Sequence, residues 1–493
     1  MAADRPLRFD TRMSDHEALM WNVEKDPWLN PSGAALMILD HPLDIERFRR
    51  TMRAGVARIP RLYERVVPGL GRLSPPSWAP DPEFDVDHHI RHRTLPSPGT
   101  ERQLLDLAAR LYEDPLDRTR PLWRFVVIDG LADGRGALYS MLHHAIADGV
   151  GQLRMAEVFQ ELTPDADEPP EVDLEAIVAD ALAAHGGDAV GSADGLLDTT
   201  AQTLGHVVRR QAGIARRLVG EVAMWPADPR RAPDKLAEVS HLAQSTLGQL
   251  GGSGNEVAGG SPLWKRRSRR RHLEHVRVPL EDVKQAAHRC GGSVNDLFVA
   301  GLVEAAVRYH AARHVDVDAF NISFVVSTRT DTAAGGNSFT PVPVQVSGAS
   351  MGLEARLADV RDAMARARAE TQQSGGLSAL SGVLNLFPTS VVTRTARVQA
   401  GRMDFATSNL RGAPFPLYVA GAKVLTNVTM GPVAGTAANI TTLSYDGQLD
   451  IGVFSDPMAI TDPAALRAEV AGAFADYTGA GVLDSAEVEP VEG

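Results

Sequence analysis

The chain has 493 residues, 44% of them hydrophobic and 23% charged, and a formal charge of −12. That length can bury more than one core, so two domains are expected, and the acidic balance speaks against general nucleic-acid affinity. Cys290 is the single cysteine, which excludes an intrachain disulfide and points to a reducing compartment. Residues 1–13 carry no apolar core of signal-peptide type, and no run of about 18 apolar residues predicts a spanning helix. A cytoplasmic location is the expectation.

In chain order, Ile45, Phe48, Met52 and Val56 have helical spacing, as do Leu104, Leu107, Ala108 and Leu111. Between them Phe84 to Ile90 alternates like a strand. His88 and His92 have the separation used on zinc-binding helices, but along a strand four residues span roughly 13 Å, too far for one ion. His88, His89 and His92 are therefore read as a solvated strand flank, and no metal site is expected. Trp123 to Ile128 and Ala137 to Leu142 flank a Gly-rich turn and predict a hairpin. Val150 to Leu162, with Leu153, Val158 and Leu162 on one flank, reads as a helix.

From Thr163 to about Thr200 the composition turns acidic, as in an exposed linker or lid. Leu204 to Trp225 has an apolar helical side, with Arg209, Arg210, Arg216 and Arg217 nearer the other, and 247–262 is Gly-rich. This divides the chain into an N-terminal domain at 1–175, a crossover linker at 176–262, a C-terminal domain at 263–480 and a frayed acidic tail at 481–493. In the second half Pro279 opens a helix through Leu280, Val283 and Ala287. Asp296 starts a longer helix to about Tyr309, and Asn321 to Val326 is strand-like, ending in Ser327-Thr328-Arg329. Leu357, Val360 and Met364 mark another helix, and Asp446-Gly447 predicts a tight hairpin turn.

Met141-Leu142-His143-His144-Ala145-Ile146-Ala147-Asp148-Gly149 lies where a buried strand ends and a helix begins, a place that can hold a side chain rigidly yet facing a cleft. A histidine pair at a strand end can be structural, and Asp-Gly can be an ordinary turn or helix start. Packing alone, however, rarely demands the whole spacing. A neutral imidazole there can take a proton from a hydroxyl or thiol near pH 7. Gly348-Ala349-Ser350-Met351-Gly352 fits a nucleophile elbow, but such a hydrolase needs its histidine after the serine, and none follows His314. It is read as a chance loop.

The full HHxxxDG pattern resembles the signature of chloramphenicol-acetyltransferase-like acyltransferases and peptide-synthesis condensation domains. Pro115 to Trp123, Val294-Asn295-Asp296, Ser408-Asn409 before Pro414-Phe415-Pro416-Leu417-Tyr418, Asn439-Ile440 and Leu443 to Gly447 narrow the resemblance to the bacterial wax ester synthase / diacylglycerol acyltransferase family, over about residues 14 to 475. One departure stands out: the family usually reads Ser-Asn-Val-Pro-Gly where this chain has Ser408-Asn409-Leu410-Arg411-Gly412, which bears on acyl or acceptor preference.

The resemblance implies two mixed α/β domains, each with a central mixed sheet flanked by helices, meeting at an active-site tunnel. It implies O-acyl transfer from acyl-CoA, as co-substrate and without a cofactor, to diacylglycerol or a long-chain alcohol through a ternary complex. His144 is then the general base, His143 supports the loop or pocket wall, and Asp148 is structural, paired with an arginine for which Arg329 is a candidate. Gly149 permits close packing where the helix begins. Asn295 either donates near the oxyanion or, with Asp296, caps its helix. Pro121, Leu122 and Trp123 shape the fold. A carrier-fed condensing enzyme and a non-catalytic lipid-associated protein are the alternatives. The run Lys265 to Arg271 has three readings: a solvated flank, a contact for CoA phosphates, or, with Leu204 to Trp225, attachment to a membrane or lipid-inclusion surface.

Overall fold

The structure, a computed structural model, describes residues 9–69, 75–185, 260–327, 339–373 and 389–479. The expected helix Leu204 to Trp225, the Gly-rich stretch 247–259, Arg329 and the tail 481–493 lie outside these residues.

Short-range signals start most helices. Ser14 and Glu17 form a capping box on α1 (Asp15–Val23). After β1 (Ser32–Leu39), Asp44 caps α2 (Ile45–Arg58), which buries Phe48, Met52 and Val56 as its spacing predicts. β2 (Glu64–Val67) and β3 (Ser77–Pro80) form a small hairpin-like pair. The alternation from Phe84 to Ile90 does not make one strand. Asp85 accepts from the Asp87 N–H and starts a single turn of helix, α3 (Val86–His89), before β4 (Ile90–Thr94). The local cap wins over the period-two pattern because it satisfies an otherwise unpaired backbone donor. His89 is consequently buried, its Nδ1 2.8 Å from Trp123 O and its ring stacked on the Trp123 ring, while exposed His92 pairs with Asp129.

A second capping box, Thr100 with Gln103, starts α4 (Glu101–Glu113). β5 (Trp123–Asp129) and β6 (Gly136–His143) form the predicted antiparallel hairpin. α5 (Gly149–Ala156) is shorter than the expected Val150 to Leu162, and Leu162 is exposed. α6 (Leu174–Ala184) follows the acidic stretch. Glu161, Glu168 and Glu175 pair with Arg47, Arg50 and Arg53 of α2, and α6 packs Leu174 and Val178 into the first core. α6 therefore belongs with the N-terminal domain rather than with the linker.

The second half runs β7 (His272–Pro279), α7 (Leu280–Arg289), α8 (Val294–Ala311), β8 (Ala319–Ser327), β9 (Phe339–Ser347), α9 (Leu353–Gln373), α10 (Thr389–Gly401), β10 (Phe405–Arg411), β11 (Tyr418–Val419), β12 (Ala422–Met430), β13 (Ala438–Tyr445), β14 (Gln448–Ser455) and α11 (Pro463–Thr478). Asp446 and Gly447 both take positive φ and close the β13–β14 hairpin.

Two six-stranded mixed sheets result, ordered β11-β12-β1-β6-β5-β4 and β7-β14-β13-β10-β8-β9. Each backs its own apolar core. The boundary at 263 does not hold for every strand: β12, from the C-terminal half, pairs antiparallel with β1 along Ala34↔Met430 to Leu39↔Val424 and so completes the first sheet. Asp450 on β14, fully buried, pairs with His275 and Arg277 of β7 and accepts from the Asn427 N–H of β12, which binds the crossing strand to the second sheet. No single helix among the described residues is long and apolar enough to cross a membrane.

Candidate active site

A cavity of about 940 Å³ opens where the two lobes meet, at the upper end of the range for small-molecule sites. Leu19, Met20 and Val23 of α1, Gly33, Ala35 and Met37 of β1, and Leu142 line it from the first lobe. Asn295, Phe324, Ser408, Asn409 and Leu410 line it from the second. Most of the wall is apolar. Arg397 of α10 reaches across to the first lobe, its guanidinium over the Trp28 ring and 3.6 Å from Asp26.

His144 lies on this wall, one residue past the end of β6. Its Nε2 stands 3.4 Å from where a Cβ on Gly33 would sit, so glycine there leaves room beside the ring. His144 is partly exposed and lines the cavity. Burial, reinforced by neighbouring His143, pushes the imidazole down to about 4, although the Asp148 carboxylate opposes the shift. At neutral pH the ring is therefore uncharged and keeps a lone pair for a proton.

His143 points the other way and is wholly buried. Its Nδ1 accepts from the Ala145 N–H at 2.9 Å, and its Nε2 stands 3.2 Å from Glu24 Oε2. Asp148 is buried and is the N-cap of α5, accepting from the Gly151 N–H at 2.8 Å. Its charge also reaches His16, whose affinity for a proton is lowered by burial and partly restored by Asp148. Gly149 begins α5 against Leu410 of the second lobe, and a Cβ there would come within 2.9 Å of Leu410 Cδ2. The close packing expected of this glycine is thus a contact between lobes.

Asn295 does not cap its helix. Ser293 is the N-cap of α8 and shares a capping box with Asp296, which leaves Asn295 to face the cavity, its Oδ1 accepting from Asn409 Nδ2 at 3.3 Å. With the oxygen so engaged, its amide N–H groups are the part available to a ligand. The structure brings His144, Asp148, Gly149 and Asn295 to one cavity and sets His143 behind it.

A sequence profile described as "Wax ester synthase/diacylglycerol acyltransferase catalytic domain" matches residues 13–298, and one described as "WS/DGAT C-terminal domain" matches 335–477. A candidate diacylglycerol O-acyltransferase of Mycobacterium tuberculosis is 30% identical over 455 residues, covering 91% of this chain and 89% of its own. The chain belongs to the wax ester synthase/diacylglycerol acyltransferase family. It is an acyltransferase. The family's fold is matched as well: the wax ester synthase/diacylglycerol acyltransferase of Marinobacter aquaeolei VT8 superposes with a TM-score of 0.60 at 18% identity, covering 96% of this chain and 100% of that one. The first condensation domain of the calcium-dependent antibiotic synthetase follows at 0.52 and 17%, covering 98% and 99%. The fold is chloramphenicol-acetyltransferase-like in both lobes.

Within this acyltransferase, Arg411 at the family's Pro position ends β10 in regular parallel register with Ser444, its side chain exposed, while Ser408, Asn409 and Leu410 line the cavity. Ser350 is exposed outside the cavity, in a loop whose carbonyls at Ser347 and Ala349 are held by buried Arg356. The basic run is not one surface. Arg267 spends its guanidinium on main-chain carbonyls, including Gly435 and Met403, and Arg271 binds Ser268 O, whereas Lys265, Arg266, Arg269 and Arg270 are exposed.

Sequence reasoning missed Glu24, Gln152 and Gly33. Gln152, one helical turn beyond Asp148, was open to inference from spacing; it donates to Ala147 O at 3.1 Å and lines the cavity beside His144. Glu24 and Gly33 carry no local signal, because their partners His143 and His144 lie more than a hundred residues away in sequence.

Proposed function

We propose that this acyltransferase moves a fatty acyl group from acyl-CoA to diacylglycerol or a long-chain alcohol, with His144 as general base in a ternary complex. The observation that carries the reading is a neutral imidazole on the wall of a large, mostly apolar cavity shared by both lobes. His144 takes the proton of the acceptor hydroxyl as its oxygen attacks the thioester carbonyl. The tetrahedral oxyanion then collapses, the C–S bond breaks, and the imidazolium returns the proton to the departing thiolate. Asn295, on the same cavity wall, is in this reading the donor to the oxyanion. The diacylglycerol O-acyltransferase names of the relatives support the acceptor class. Attachment to an anionic lipid surface through Lys265, Arg266, Arg269 and Arg270 is part of the same reading.

The test is release of free thiol from long-chain acyl-CoA by purified protein offered a panel of alcohols and diglycerides. His144→Ala is expected to lose on the order of 10²–10⁴-fold in turnover while staying folded, and His143→Ala less. Equal turnover in wild type and His144→Ala sinks the mechanism.

A further inference from the structure

His143 takes no part in the cavity, yet its ring is held on two sides. Accepting from the Ala145 N–H requires Nδ1 to be unprotonated, so in the neutral ring the proton sits on Nε2, 3.2 Å from Glu24 Oε2. The contact lies off the line of an ideal hydrogen bond. Its attraction is that of an N–H dipole for a carboxylate, strong where water is excluded. The same Oε2 takes Arg118 Nη1, and the Arg118 guanidinium lies 3.5 Å from the Trp21 ring centroid and donates to Trp21 O at 2.9 Å. Burial pushes the Glu24 carboxyl up, but His143 and Arg118 more than offset that and hold it below the usual range, ionised at neutral pH.

We propose that Glu24 is a positioning residue for acyl transfer: its Oε2 keeps His143 in the Nε2–H tautomer, so that Nδ1 grips the Ala145 N–H and the turn presenting His144 keeps its shape. The proposal rests on His144 as the base. The other tautomer would set an N–H on Nδ1 against the Ala145 N–H, two donors face to face, and the turn would have to move. A protonated His143 would do the same and add a positive charge beside His144, weakening the ring's hold on the proton it must take. Glu24 is also the C-cap residue of α1 through its backbone N–H, and Leu19, Met20 and Val23 of that helix wall the cavity, so its carboxylate links the end of the helix to His143.

The experiment compares Glu24→Gln with Glu24→Leu in the full chain. Because a single oxygen serves both His143 and Arg118, the Gln side chain can supply it without the charge. Three readouts are taken: kcat and KM for acyl-CoA, melting temperature, and nitrogen-15 spectra of labelled histidine rings, with His143→Asn to assign the signals. Glu24→Gln is expected to melt lower, because Arg118 loses its counter-charge, yet to keep the Nε2–H tautomer and most of kcat. Glu24→Leu is expected to lose that tautomer and roughly 10²-fold in kcat, the scale set by misplacing a reacting group by about 1 Å, with KM for acyl-CoA unchanged. Wild-type kcat in the Leu variant well below its melting temperature would overturn the proposal. So would equal losses in the two variants, or an Nδ1–H tautomer of His143 in the wild type. Wild-type protein that releases no thiol from acyl-CoA with any acceptor overturns the substrate reading instead, while the tautomer spectra judge Glu24 on their own.

Discussion

His144, the proposed base, sits in surroundings that weaken a histidine as a base. Its folded-state pKa of about 4 lies below the 6.5 of a free imidazole. Between those values the unfolded chain binds more protons than the folded one, so stability rises with pH: it is fully present above about 6.5 and lost as pH falls toward 4. His89, also pushed down to about 4 by burial, acts in the same direction. Calorimetry on acidification is therefore expected to show a melting temperature level near neutrality and falling below pH 6.5. The acid limb of kcat/KM, which reports the free enzyme, should lie well below 6.5; a limb at 6.5 would place the base on another, solvated group. Asp148 contributes at the same scale through its cap. Asp148→Ala should cost about 0.5–2 kcal/mol, whereas Asp148→Asn, which still offers an oxygen to the Gly151 N–H, should cost less in chemical denaturation. A larger loss in the Asn variant would show that the charge, rather than the cap, holds the motif.

Among the elements, β12 decides most. It borders β1 on one side and crosses β14 where Gly452 allows contact: a Cβ on Gly452 would meet Thr429 O at 2.3 Å. That neighbour is backbone in a paired strand and cannot swing aside. Gly452→Ala is expected to destabilise by about 1–3 kcal/mol or more, read as a shift in denaturation midpoint. An unchanged midpoint would mean that the sheets slide past one another freely here. The α3 turn teaches the complementary lesson about elements. Phe84 to Ile90 has a convincing alternation, yet one Asp85 cap redirects it, and His89 becomes a core residue stacked on Trp123 instead of a solvated flank.

Across the whole molecule the two lobes are not separable pieces. Val424, Val428 and Met430 of β12, together with Leu273, Tyr445 and Phe454, sit in the core of the first lobe. Residues 1–262 expressed alone would present β1 with an unpaired edge and an uncovered apolar face, a template for aggregation. That fragment is expected to be insoluble or to lack a cooperative melt by circular dichroism, although it holds both histidines. A soluble fragment with a sharp transition would show that β12 is dispensable to the first core.

How far the sequence could be read follows from the range of the interactions involved. The helix starts at Ser14, Asp44 and Thr100, the β5–β6 and β13–β14 hairpins and the place of the HHxxxDG motif between strand and helix are set by residues within a few positions of one another, so spacing alone determined them. The release of Asn295 from capping is local too, set by the capping box between Ser293 and Asp296, three residues apart. The direction of the two histidines, the meeting of Gly149 with Leu410 and the loan of β12 to the first sheet were decided only in three dimensions. Each depends on a partner more than a hundred residues away. The energy that settles such a choice is burial and pairing between surfaces that exist only once both lobes have formed.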